Sequence, residues 1–202
     1  MATSEENPAG EGGGRGHAHG HSHEHHHEEK PRPFTACVVA ASDKGSRGER
    51  QDGSGDTLEK LLAGFGATSV ERVIVPDERD VLRDVLKKYS GKDGAGGNGN
   101  SRVDLIITTG GTGMGPRDVT PEATLDVVER QTPGFVEAVR AESLKITPRA
   151  MLSRAAAGIA GSTLIINFPG SPKACEESFA VIEPSLAHAL DLLAGTGGEC
   201  AR

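Results

Sequence analysis

Four glycines within six residues, Gly110, Gly111, Gly113 and Gly115, mark the stretch of this chain best suited to chemistry. A residue without Cβ lets backbone N–H groups come close to an anion, so such a loop can cradle phosphate. Thr112 lies within the same loop, and Arg117 and Asp118 follow it directly. Arg117 offers a guanidinium for phosphate oxygens, and Asp118 a carboxylate suited to a magnesium ion. Nucleotide-phosphate binding is the chemistry these types and spacings allow. The plain alternative is a tight strand-to-helix turn whose glycines serve packing alone.

The loop needs rigid elements on both sides, and the sequence provides signals for them. Val103–Thr109 is apolar and β-branched and reads as a buried strand. Thr120-Pro121-Glu122 reads as an N-cap, a first-turn proline and a first-turn acid. Elsewhere strands are expected at 34–41, 70–75 and 163–168. Helices are expected at 56–65, from Pro76-Asp77-Glu78 onward, at 133–144 and at 172–193. Alternating strands and helices predict a three-layer α/β fold, a mostly parallel central sheet with helices on both faces. Ligands of such sheets bind beyond the carboxyl ends of the strands. That rule gathers four exits at one edge: Ser42-Asp43, Pro76-Asp77, the glycine loop, and Asn167-Phe168-Pro169-Gly170-Ser171-Pro172. The last is a rigid turn able to hold a flat ligand or a phosphate, or simply to connect a strand to a helix. The stretch Lys44–Gly55 adds further hydroxyl and backbone donors near the same edge.

Composition narrows the function classes. The chain has 202 residues, a net charge of −7, five Phe, one Tyr and no Trp. The core must be aliphatic, and a dispersed acidic charge argues against nucleic-acid binding. No apolar run is long enough to span a membrane. Cys37, Cys175 and Cys200 are odd in number and far apart, which argues for a reducing compartment. The acidic N-terminus lacks the features of a signal or transit peptide, so a cytoplasmic location is expected. Residues 1–33 are rich in Gly, Glu and His, and seven of the eight histidines lie between His17 and His27. This segment reads as a polar tail, and its imidazoles could bind nickel, zinc or copper. The folded domain is expected over 34–195, with a glycine-rich loop insertion at 91–102 and a short tail at 196–202.

With these elements in place, the chain resembles the molybdopterin adenylyltransferase family, which includes MogA and the G domain of gephyrin. The resemblance rests on Ser42-Asp43, Asp52-Gly-Ser54-Gly55, Val75-Pro-Asp77-Glu78 and Gly110-Gly-Thr112-Gly113 with Pro116-Arg117-Asp118-Val-Thr-Pro121-Glu122. It continues through Glu142–Pro148, Met151-Leu-Ser153-Arg154 and Asn167-Phe-Pro169-Gly170, and looks nearest to the plant-type G domain. It implies the molybdopterin-binding fold and adenylyl transfer from ATP to molybdopterin with magnesium as cofactor, releasing pyrophosphate. Asp77 and Asp118 match the family's functionally sensitive acids and are thereby assigned to magnesium and phosphate alignment. Ser153 matches a serine that contacts molybdopterin, although alone it reads as a helix cap. Arg117, Arg154 and Lys145 are the candidate cations for substrate phosphate, or else solvated surface. The resemblance also implies a homotrimer and, since 202 residues leave no room for a second domain, a separate molybdenum insertase as partner. Two rivals remain: a non-catalytic trimeric scaffold or pterin-binding domain of the gephyrin type, and a different substrate on the similar fold of competence-damage proteins.

Overall fold

The computed structural model describes residues 31–92 and 102–196. Most of the tail expected at 1–33, of the loop expected at 91–102 and of the tail expected at 196–202 lies outside the described residues. Strand β1 (Phe34–Ala41) leads into helix α1 (Asp43–Ser46) and helix α2 (Gly53–Phe65). Strand β2 (Ala67–Val75), helix α3 (Arg79–Ser90), strand β3 (Leu105–Thr109) and helix α4 (Thr120–Leu125) follow. Strand β4 (Arg130–Gln131), helix α5 (Pro133–Ile146), a 3₁₀ turn (Pro148–Leu152), strands β5 (Ala157–Ala160) and β6 (Thr163–Phe168), and helix α6 (Pro172–Ala194) complete the order.

The six strands form one sheet in the order β2-β1-β3-β6-β5-β4. The first four run parallel, whereas β5 pairs antiparallel with both β6 and β4. Side chains alternate across β1, so Phe34, Ala36 and Val38 enter one core while Cys37, Val39 and Ala41 enter the other. Helices α2, α5 and α6 cover the first face through Leu58, Leu62, Val136, Phe179, Ile182 and Leu186. Helices α3 and α4 cover the second through Leu82, Leu86 and Ala123. Two-sided burial explains the unbroken apolar runs of β1, β3 and β6, and the expected three layers are present.

Several boundaries differ from the sequence reading for local reasons. Helix α2 starts at Gly53, ahead of Asp56, because the Asp52 side chain caps it by accepting from the Gly55 N–H at 2.9 Å. Helix α3 starts at Arg79, so Asp77 lies before the helix and is free to face elsewhere. Thr120 is the first helical residue of α4; the cap position falls to Val119, which has no side chain able to cap. At the amino-terminal edge Arg32 pairs with Asp104 at 3.0 Å and reaches Asp191 at 3.9 Å, so ordered packing begins before Phe34.

Candidate active site

The parallel strands β1, β2, β3 and β6 end along one edge, and a cavity of about 410 Å³ lies there. Its lining includes Ala41 and Ser42 from the β1 exit, Asp77 from the β2 exit, and Gly110, Gly111 and Asp118 around the glycine loop. Gly170 and Pro172 close it from the β6 exit, and Arg50, Gln51, Asp52, Gly53 and Ser54 form the wall ahead of α2. All four strand exits expected from the sequence therefore reach one cavity of ligand-accommodating size.

Glycine is required at two points of the loop. Gly110 has φ +90°, and a Cβ there would lie 2.5 Å from the Ala41 carbonyl oxygen. Gly111 has φ +61°, and its Cβ would lie 2.4 Å from Thr120 Oγ1. Any side chain would push the loop off the neighbouring strand and helix, apart from the strain of the left-handed backbone. The loop is closed by Asp118, whose Oδ2 accepts from the Gly115 N–H at 2.7 Å. One carboxylate thus both shapes the loop and faces the cavity.

Asp77 and Asp43 hold each other through their backbones. The Asp43 N–H donates to Asp77 Oδ2 at 2.9 Å, and the Asp77 N–H donates to Asp43 Oδ1 at 3.1 Å. Burial pushes the Asp77 carboxyl above its ordinary range, and the nearby Asp43 and Asp118 charges push the same way. Asp43 behaves oppositely, because the Arg117 guanidinium bonded to it holds its carboxyl below the usual range. That pair is bidentate: Arg117 donates to Asp43 Oδ2 at 3.1 Å and to Oδ1 at 2.7 Å.

The other two candidate cations are also engaged. Arg154 donates through Nε to the Gly113 carbonyl at 2.7 Å, and through its terminal nitrogens to Glu122 and to the Asp118 carbonyl. Its backbone N–H donates to the Thr112 carbonyl at 2.9 Å. Arg154 is therefore a clamp on the outer side of the glycine loop. Lys145 donates to both carboxylate oxygens of Glu142, at 2.7 and 2.9 Å on α5. Ser153 ends the 3₁₀ turn, half-buried, with Oγ accepting from the Ala155 N–H at 3.4 Å. It adjoins the clamp but is outside the cavity lining.

Asn167 is buried, and its amide is committed to the fold. Its Nδ2 donates to Thr108 Oγ1 at 2.9 Å and Thr124 Oγ1 at 2.8 Å, while Oδ1 accepts from the Ala156 N–H at 3.0 Å. It ties β3, α4 and the segment before β5 together behind the loop. The Pro169 carbonyl accepts from Thr109 Oγ1 at 2.8 Å and from the Cys175 thiol at 3.2 Å, fixing the Pro169-Gly170 turn against β3. Arg50 lines the cavity and was not singled out from the sequence, because nothing in its local pattern distinguishes it from the neighbouring Arg47.

Among the described residues, no group of three or more His, Cys, Asp or Glu is disposed to hold a metal, and no helix is long and apolar enough to cross a membrane.

A family model described as a probable molybdopterin binding domain matches residues 37–188. The molybdopterin adenylyltransferase of Helicobacter pylori strain J99 is 40% identical over 160 residues, covering 78% of this chain and 86% of that protein. The molybdenum cofactor synthesis protein cinnamon of Drosophila melanogaster is 41% identical over 79% of this chain, which spans 26% of cinnamon's length. Among solved structures, the molybdopterin biosynthesis enzyme MoaB of Thermus thermophilus is 43% identical. It superposes with a TM-score of 0.69, covering 81% of this chain and 98% of MoaB. By the matching family model, these identities and the shared fold, the chain belongs to the molybdopterin-binding domain family of molybdenum cofactor biosynthesis proteins.

Proposed function

We propose that the protein is a molybdopterin adenylyltransferase. The observation that carries this reading is the meeting of the glycine loop with Asp77 and Asp118 on one cavity at the carboxyl edge of the sheet. A phosphate loop combined with two carboxylates favours catalysis over a purely scaffolding domain, which needs neither.

In the proposed reaction a terminal phosphate oxygen of molybdopterin attacks the α-phosphorus of ATP. The bond from that phosphorus to the α–β bridging oxygen breaks, and pyrophosphate leaves with the electron pair. A phosphate monoester is already anionic near neutral pH, so no side chain must take a proton from the nucleophile. The work of the site is alignment and charge neutralisation. Backbone N–H groups of the Gly111–Gly113 segment cradle phosphate oxygens, with Gly170 opposite the loop; the Gly110 N–H is engaged by the Phe168 carbonyl. Asp43 holds the β1 exit in place through its two bonds to Asp77, and Ser42 does so through its N–H to the Val75 carbonyl. Ser153, tethered to the loop through Arg154, is assigned to molybdopterin.

The donor set fits a magnesium ion. Magnesium takes oxygen ligands, commonly one or two carboxylates with substrate phosphates completing its shell. Asp77, its carboxylate destabilised by burial and by neighbouring negative charge, gains from a nearby cation, and Asp118 faces the same cavity. When bound there by Asp77 and Asp118, magnesium would neutralise negative charge on the substrate phosphates.

By the same family reading the protein acts in the cytoplasm as a homotrimer and hands its product to a separate molybdenum insertase. Light scattering of the purified protein tests the homotrimer directly. The reaction itself is tested by mixing the protein with MgATP and molybdopterin. Stoichiometric pyrophosphate release dependent on both is the expected result, and release with no requirement for molybdopterin counts against the assignment.

A further inference from the structure

The cavity is electrostatically unusual for one that must take polyanions. Among the described residues its lining carries three carboxylates, Asp52, Asp77 and Asp118, and a single cationic side chain, Arg50. The cations that the sequence offers for phosphate are committed elsewhere. Arg117 is held in a two-pronged pair by Asp43, Arg154 is spent on the outer carbonyls of the glycine loop, and Lys145 is bound to Glu142. Recruiting Arg117 would break both its bonds to Asp43, and recruiting Arg154 would release the loop that forms the cradle. Arg50 has neither constraint: among the described residues it forms no hydrogen bond or ion pair. It stands in the wall that precedes α2, and that wall and the glycine loop both line the cavity.

We propose that Arg50 is the side chain that binds the phosphate groups of the substrates in this cavity. A guanidinium presents a planar fork of N–H donors that matches two non-bridging phosphate oxygens, and it keeps its charge at any physiological pH. In this position it offsets part of the negative charge contributed by the three carboxylates as phosphates enter. It acts with the backbone cradle rather than in place of it. The inference deepens the adenylyltransferase reading and rests on that reading for the identity of the ligands. The shared chemistry is a phosphate group, from either the triphosphate of ATP or the phosphate monoester of molybdopterin.

Equilibrium titration of Arg50→Gln, Arg50→Lys and the unaltered protein tests this. The two probes, used separately, are a non-hydrolysable ATP analogue with magnesium and molybdopterin. Arg50→Gln is expected to weaken one of the two by about tenfold or more, and the weakened ligand identifies which phosphate Arg50 holds. Arg50→Lys should recover part of the loss, and the melting temperature should stay unchanged because Arg50 has no packing role. Unchanged affinity of Arg50→Gln for both ligands overturns the proposal, as does a loss with both variants that tracks a lowered melting temperature. If the unaltered protein binds the probes yet releases no pyrophosphate, the adenylyl-transfer reading fails while the binding result for Arg50 stands. If it binds neither probe, both fail.

Discussion

Asp77 and Asp118 carry different burdens although both face one cavity. Asp77 has its carboxyl raised by burial, so the folded chain holds that proton more tightly than the unfolded chain does. Stability from this group is fully present below about pH 4, the ordinary carboxylate range, and is lost as pH rises through the raised folded value. Asp77→Asn keeps an acceptor for the Asp43 N–H but removes the charge. In magnesium-free buffer this variant should melt at a higher temperature than the native protein at pH 7, with the gap closing below about pH 4; a lower melting temperature at pH 7 would show that the charge stabilises the fold. Asp118→Asn likewise keeps an acceptor for the Gly115 N–H, so the loop should remain closed. Its adenylyl transfer at matched magnesium should fall on the order of 10²-fold, the usual scale for losing one charge-aligning group. Native turnover would mean that Asp118 serves the loop alone.

At the scale of elements, the apolar runs of β1, β3 and β6 were legible because burial on both faces leaves no polar alternation to confuse. The edge strands β4 and β5 were not. Arg130–Gln131 is two exposed residues, and Ala157–Ala160 is short and, apart from Ile159, built of Ala and Gly with weak strand preference, so their pairing comes from position beside β6 rather than from local sequence. The cavity's location followed from strand order, whereas the engagement of Arg117 and Arg154 depends on partners 74 and 41 residues away in the chain. No local pattern encodes such contacts. Asn167 shows the same limit, since its motif position suggested ligand binding and its bonds are spent on Thr108, Thr124 and Ala156. Asn167→Ala should therefore cost on the order of 2 kcal/mol or more of stability by leaving buried groups unpaired. Denaturant unfolding measures this; an unchanged midpoint would mean that the network relaxes without loss.

For the whole molecule, the described chain separates what the site needs from what it does not. The cavity lies at the carboxyl end of β1, and the N-terminal segment joins its amino end, on the order of 20 Å away along an eight-residue strand. Among the described residues, those lining the cavity fall between Ala40 and Pro172. Deleting residues 1–30 while keeping Arg32, which pairs with Asp104, should leave activity and melting temperature near native. It should also remove the seven clustered histidines and with them retention on a nickel column. Loss of activity in a protein that still melts normally would bring the tail into the reaction.

The central claim is that the adenylyl group of ATP, with its α-phosphorus, moves to molybdopterin. The most direct measurement supplies ATP labelled at the α-phosphate in one reaction and at the γ-phosphate in another, with magnesium and molybdopterin. The account predicts the α-label on the pterin product and the γ-label in pyrophosphate. A γ-label on the pterin, or an α-label that remains on free nucleotide while molybdopterin is unchanged, would contradict it.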